Sequence, residues 1–216
     1  MKKFAVILAG CGVYDGAEIH EATFTLYAIK KLGAQYTIFA PDTEQHHVIN
    51  HLTGEEMNER RNVLVESARI ARGAIKPLAE FDENDFDALI LPGGFGVAKN
   101  LSTFAFEGTN CKVNQEVESS IRGMHKLAKP IGALCISPVI LARIIGAVEL
   151  TIGNDSNTAA IVEQMGARHK PAGHSEVIID TKNKIFSTPC YMLDADIVQI
   201  ATGAENIVRA IMKSLS

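Results

Sequence analysis

Pro130-Ile131-Gly132-Ala133-Leu134-Cys135-Ile136-Ser137-Pro138 passes from an unbroken apolar run directly into a cysteine and, three residues later, a proline. A short apolar run without alternation reads as a strand buried on both faces, the pattern of a parallel sheet. Pro138 suits the first turn of a helix, where its missing N–H leaves nothing unpaired, and that helix is expected to run to about Ile145. A cysteine between such a strand and such a helix sits on a tight turn that holds its sulfur above the sheet edge, as in a nucleophile elbow. The helix N-terminus aimed at it is expected to favour the thiolate. A structural cysteine is the competing reading, since free cysteine is among the most buried residue types.

Working outward, the same alternation recurs. Ala88-Leu89-Ile90-Leu91 is a second apolar run, followed at once by Pro92-Gly93-Gly94-Phe95-Gly96. Phe4 to Ala9 is a third, followed by Gly10-Cys11-Gly12. Gln35 to Ala40 reads as another strand, and Val177–Asp180 with Ile185–Ser187 reads as a hairpin. Helices are expected over Glu18–Leu32, Asn114–Leu127, Asn157–Met165 and Asp196–Ser214. Residues 43–77 read as an insertion with one amphipathic helix, Met57 to Arg72. Continuous apolar strands alternating with helices predict an α/β fold in one domain, with a mostly parallel sheet covered on both faces.

Ligands of such sheets sit at the carboxyl ends of the strands, which gathers the Cys11, Gly93-Gly94 and Cys135 loops at one edge. The N–H groups of Gly94 and Ile136 together can form an oxyanion hole facing the Cys135 sulfur. Glu18 and Glu21 lie one turn apart near the start of the first helix, and either can bring a carboxyl group to that edge as a proton carrier. The plainer reading of both is acid that complements a helix dipole. His174 is a candidate base, but its spacing does not single it out. His46, His47 and His51 cluster without a coherent ligand geometry, and no metal site is read. Gly10-Cys11-Gly12 is followed three residues later by Asp15 rather than glycine, so no dinucleotide fingerprint is present and no cofactor is expected.

Of the 216 residues, 47% are apolar, enough for a full core. A net charge of −4 disfavours nucleic acid and anionic membrane as partners. The N-terminal apolar run is far short of the ~18 residues a membrane span needs. Cys11, Cys111, Cys135 and Cys190 show no paired spacing, which suggests a reducing compartment and a cytoplasmic protein.

Several stretches resemble one family closely. Gly10-Cys11-Gly12-Val13-Tyr14-Asp15-Gly16-Ala17-Glu18-Ile19-His20-Glu21 is similar to the signature of the ElbB, or enhancing-lycopene-biosynthesis, proteins. Ile49-Asn50-His51-Leu52-Thr53-Gly54-Glu55, the Leu91–Ser102 stretch and Leu150-Thr151-Ile152-Gly153 match as well, so the resemblance spans essentially the whole chain. Those proteins belong to the PfpI-type, class I glutamine-amidotransferase-like superfamily. The resemblance implies a flavodoxin-like three-layer sandwich, with Cys135 as nucleophile at its elbow. It also implies Glu21 as the carboxyl partner, with Glu18 as runner-up, oxyanion donors at Gly94 and Ile136, and a homodimer. Ile136 stands where PfpI-type proteases carry a histidine, and Gly153 stands where other members supply one. Both departures argue against proteolysis and glutamine hydrolysis. What remains implied is a cofactor-independent, cysteine-dependent glyoxalase III-like hydro-lyase. It would convert glyoxal to glycolate, and methylglyoxal to lactate, through a hemithioacetal on Cys135. The alternatives are a protein deglycase, or a non-enzymatic redox-sensing or interaction protein linked to isoprenoid metabolism.

Overall fold

The computed structural model describes residues 1–215. Seven strands form one sheet: β1 (Lys3–Ile7), β2 (Gln35–Ala40), β3 (Ile75–Pro77), β4 (Ala88–Leu91), β5 (Ile131–Leu134), β8 (Ile178–Asp180) and β9 (Ile185–Thr188). Their order is β3-β2-β1-β4-β5-β9-β8, and all neighbours are parallel except β8 and β9. A separate two-stranded ribbon pairs β6 (Glu149–Leu150) with β7 (Arg168–His169). The helices are α1 (Ile19–Lys31), α2 (Val63–Ala71), α3 (Phe95–Lys99), α4 (Phe104–Glu107), α5 (Gln115–Lys126), α6 (Pro138–Ile145), α7 (Ser156–Gln164) and α8 (Ile197–Ser214).

The three layers follow from the period of two along each strand. Phe4, Val6 and Leu8 face one core with residues of α1 and α8, while Ala5, Ile7 and Ala9 face the other with residues of α5 and α6. Leu89 and Leu91 alternate with Ala88 and Ile90 in the same way. The unbroken apolar runs are therefore strands that bury both faces, as expected. The result is the α/β, flavodoxin-like three-layer sandwich.

Residues 43–77 contribute more to the sheet than an inserted helix would. Only α2 is helical there, because the Asn62 side chain caps it by accepting from the Val65 N–H. The chain before it is an extended loop with isolated bridges Glu44 to Asn62 and Ile49 to Glu56. The chain after it forms β3, parallel to β2. This edge strand escapes sequence reading because it is three residues long and contains Lys76 and Pro77, the residue types that blunt sheet edges. Val63 is fully buried within its own chain, whereas Val65 is exposed.

The chain leaves β1 towards β2 on one side, and β4 lies on its other side. The sheet's switch point is thus between β1 and β4, where an open α/β sheet forms its ligand crevice.

Candidate active site

Four strand ends converge at that crevice. After β1 the loop closes on itself, with Gly12 N–H donating to the Ala17 carbonyl at 2.9 Å, and delivers Glu18 as the N-cap of α1. After β4, the Gly93 carbonyl accepts from Glu18 N–H at 2.9 Å, and Gly96 N–H donates to the Gly16 carbonyl at 2.9 Å. After β5, the Ser137 hydroxyl donates to the Pro92 carbonyl at 2.7 Å. These bonds lock the three loops selected from the sequence into one unit.

The glycine pair is required by contact. A Cβ at Gly93 would lie 2.4 Å from the Cys135 Cβ and 2.6 Å from Glu21 Oε2. At Gly94, φ is +101°, and a Cβ would lie 2.4 Å from both the Glu18 nitrogen and the Gly16 carbonyl oxygen. Backbone thus approaches the cysteine and the carboxyl group as closely as packing permits.

Cys135 is an elbow. Its φ is +60°, a left-handed conformation that costs a non-glycine residue about 1–2 kcal/mol. Its own N–H donates to the Thr188 carbonyl at 2.9 Å, which holds the turn against β9. The Gly94 and Ile136 N–H groups both donate to its sulfur, and the Glu21 carboxyl group hydrogen-bonds to it as well. Gly94 and Ile136 both line the cavity that holds Cys135.

Glu21 is fully buried. Its Oε2 accepts from Gly93 N–H at 2.9 Å and its Oε1 from Tyr191 N–H at 3.3 Å. Glu18 does not reach the sulfur in this way. Its Oε2 accepts from the Glu21 N–H at 2.7 Å, so it caps the helix and orients Glu21. Geometry thus separates two residues that sequence left one turn apart.

Burial, then the negative charge of Glu18, pushes the Glu21 carboxyl up to about 8. Burial, then Glu21, pushes the Cys135 thiol well above its ordinary value, against the two N–H donors that pull it down. The expectation of a thiolate set by a helix N-terminus is corrected here. Helix α6 starts only at Pro138, and desolvation of a buried sulfur outweighs its field. Cys135 and Glu21 form a coupled pair that holds its protons at neutral pH.

The sequence reading missed the fourth loop, after β9. Tyr191 N–H holds Glu21, and its hydroxyl lies 2.8 Å from His20 Nδ1. Cys190 is also buried and at positive φ, and its thiol is pushed up first by that burial and then by Glu21 and Cys135. The available signal was position: this loop also follows a buried strand at the same edge. His174 is not brought to the sulfur. It is exposed, on the turn preceding β8, and among the described residues no histidine acts on the Cys135 thiol.

Above Cys135 opens a cavity of about 460 Å³. Its walls are mostly apolar, with Phe95, Phe104, Ile136 and Met192 among them, and its polar groups include Glu18, Asp155 and Tyr191.

Comparison with known proteins agrees with this architecture. The chain is 46% identical to the "ES1 protein homolog, mitochondrial" of Rattus norvegicus, over 98% of this chain and 83% of the relative. It is 45% identical to the "Glutamine amidotransferase-like class 1 domain-containing protein 3, mitochondrial" of Homo sapiens, over 98% and 82%. A crystal structure of an isoprenoid biosynthesis protein with an amidotransferase-like domain, from Ehrlichia chaffeensis, superposes with a TM-score of 0.92 at 35% identity. That superposition covers 98% of this chain and 99% of the other. The expectation of a cytoplasmic protein is overturned by the first two relatives, both named as mitochondrial. Its basis was weak, because unpaired cysteines report reducing conditions and not the compartment that supplies them. Residues 7–151, which carry Glu21, the glycine pair and the Cys135 elbow, match the model of the DJ-1/PfpI family, and the chain belongs to that family.

Proposed function

We propose that the site performs cofactor-independent glyoxalase chemistry on an α-dicarbonyl compound, and that the chain is an ElbB-type member of its family. The observation that carries the reading is the buried hydrogen-bonded pair of Cys135 and a Glu21 carboxyl held near 8. A group poised near operating pH both gives and takes protons efficiently.

With glyoxal, the simplest case, the Cys135 sulfur bonds to one carbonyl carbon. The thiol proton passes by way of Glu21 to the carbonyl oxygen, giving a hemithioacetal. One oxygen of Glu21 then takes the proton from the sulfur-bearing carbon while its protonated oxygen gives a proton to the second carbonyl oxygen, forming an enediol. Glu21 next gives a proton to the second carbon and takes the hydroxyl proton from the sulfur-bearing carbon, which leaves a thioester of glycolate and the carboxyl group protonated as at the start. Water cleaves that thioester, releasing glycolate and restoring the thiol. No redox partner is consumed, since one carbon is oxidised as the other is reduced. The Gly94 and Ile136 N–H groups, placed at the sulfur, are near the oxygen of each tetrahedral adduct. The missing histidine is no obstacle, because a single carboxyl group serves both proton transfers.

The test is conversion of glyoxal to glycolate, followed by NMR, by the wild-type protein and by Cys135→Ser. Turnover with kcat/KM near ~10⁴ M⁻¹s⁻¹ or above, lost in the variant, supports an enzyme. Values far below that, or turnover that survives in Cys135→Ser, reject it.

A further inference from the structure

Glyoxal has four heavy atoms, whereas the cavity over Cys135 measures about 460 Å³. Cavities of that size hold drug-sized ligands. Its apolar wall comes from five separate segments: Val13 on the β1 loop, Phe95 and Ala98 on α3, Phe104 at the start of α4, Ile136 next to Cys135, and Met192 near Cys190. A surface that only admitted a hydrated two-carbon dicarbonyl would have no use for this wall. Phe95 is half exposed although it forms part of the cavity, so the apolar surface is open to an incoming ligand.

The charges on the wall are of one sign. Glu18 is 7% exposed, and its negative charge is felt at Glu21. Asp155, a solvent-exposed residue of the cavity lining, caps α7 by accepting from the Thr158 N–H at 2.7 Å, and that contact holds its carboxyl below the usual range, hence ionised. Among the described residues, no lysine or arginine lines the cavity. The nearest cation on α3, Lys99, is already engaged: its Nζ donates to the Tyr14 carbonyl at 2.9 Å and lies over the Phe95 ring. A carboxylate or phosphate on the substrate would meet two acids, and the one ammonium beside the wall is held by a backbone carbonyl. A cation would meet two acids and aromatic faces.

We propose that the preferred substrate of this site carries its reactive dicarbonyl on an apolar body bearing a positively charged amino or ammonium group. The inference rests on Cys135 being the nucleophile of the function proposed above. On such a compound, R–CO–CHO becomes R–CH(OH)–COO⁻ by the same balanced steps, with R in the cavity.

Alkylation of Cys135 tests this without requiring turnover. Displacement of iodide by the sulfur reads only access and affinity. The probes are iodoacetamide, N-benzyl-2-iodoacetamide, and the para-carboxylate and para-trimethylammonium forms of the benzyl compound. Each rate on the full chain is divided by its rate on 2-mercaptoethanol, and the site is mapped by mass spectrometry. The benzyl probe is expected to modify Cys135 about tenfold faster than iodoacetamide, the ratio for burying part of one ring. The ammonium form should exceed the carboxylate form by about tenfold or more at low salt. Asp155→Asn, which keeps the helix cap, should narrow the charge gap severalfold, and Phe104→Ala should shrink the benzyl advantage. Equal normalised rates, a faster carboxylate form, or no modification of Cys135 by any benzyl probe would overturn the proposal. If this order holds while glyoxal is not turned over, the glyoxalase reading fails alone. If glyoxal is turned over and the order is absent, this inference fails alone.

Discussion

Two cysteines follow buried strands on either side of β4, and they are built differently. Cys11 lies after β1 between Gly10 (φ +112°) and Gly12 (φ +126°), so glycines make the turn and the cysteine is unstrained. Cys135 lies after β5 and takes the left-handed conformation itself. Cys11 is half-buried; after burial its thiol responds to Glu66 and Asp15, which raise it, and Arg69, which lowers it. Cys135 is surrounded by N–H donors and by a protonated carboxyl group in direct contact. The two cysteines share an edge of the parallel sheet and differ in strain at the residue itself and in a partner that shares its proton.

The largest expected effect separates the two cysteines outright. Cys135→Ser should reduce dicarbonyl turnover by on the order of 10³-fold or more, as removal of a nucleophile does. Cys11→Ser should stay within about twofold of wild type. Comparable losses in both variants would mean that the β1 loop takes part in the chemistry and that the comparison is wrong.

Next in size is the contrast between the two carboxyl groups. Glu21→Gln keeps the shape but cannot exchange the proton, and a loss of roughly 10²–10⁴-fold is expected. Glu18→Gln retains an oxygen able to accept from the Glu21 N–H, so most turnover should remain. It also removes the charge that helps hold Glu21 near 8, so the alkaline rise of kcat/KM should move to lower pH. A larger loss in Glu18→Gln than in Glu21→Gln would reverse the assignment.

Burial of Glu21 also has a cost in stability. Its carboxyl ionises at about 8 in the folded chain, against an ordinary value of 4.5. Between those values the unfolded chain releases the proton while the folded chain keeps it. Stability therefore falls as pH rises from about 4.5 to 8 and levels off above, by an amount on the order of 5 kcal/mol. Glu21→Gln has no such ionisation. The melting temperature of wild type relative to Glu21→Gln should accordingly drop by several degrees between pH 5 and pH 8.5. A difference that is flat with pH would show that Glu21 ionises normally.

Much of this comparison was legible in the sequence, for physical reasons. β4 and β5 are buried on both faces, so their apolar runs are unbroken, and each run leads straight to the sheet's ligand edge. The glycine pair reads as close approach because nothing larger fits beside Cys135. Less legible were features set by tertiary context. β3 is too short and too polar at its edge to show a period. Tyr191 contributes a backbone N–H, which any residue but proline carries. The choice between Glu21 and Glu18 depended on which side of a helix cap each falls. The direction of the Cys135 shift was misjudged because a helix start is visible in sequence, while the desolvation that outweighs it is not.

The smallest effects concern the thiols themselves, and they are reciprocal. Once its carboxyl ionises, above about pH 8, Glu21 adds to burial in raising the Cys135 thiol, through its charge and its hydrogen bond. Glu21→Gln should therefore speed alkylation of Cys135 at pH 9 by up to about tenfold, even as turnover is lost, and leave Cys11 unchanged. At the other site Arg69 is the group that lowers the Cys11 thiol. Its side chain is 64% exposed and is committed to a salt bridge with Glu66 at 2.9 Å, so water and salt screen much of its field. Arg69→Gln should slow Cys11 alkylation only about twofold, and that difference should vanish at about 1 M salt. The Glu21 effect on Cys135, between two buried groups in contact, should survive the same salt. If instead the Cys135 response collapses in salt while the Cys11 response persists, the shielded pair is on the β1 loop and the roles of the two cysteines are exchanged.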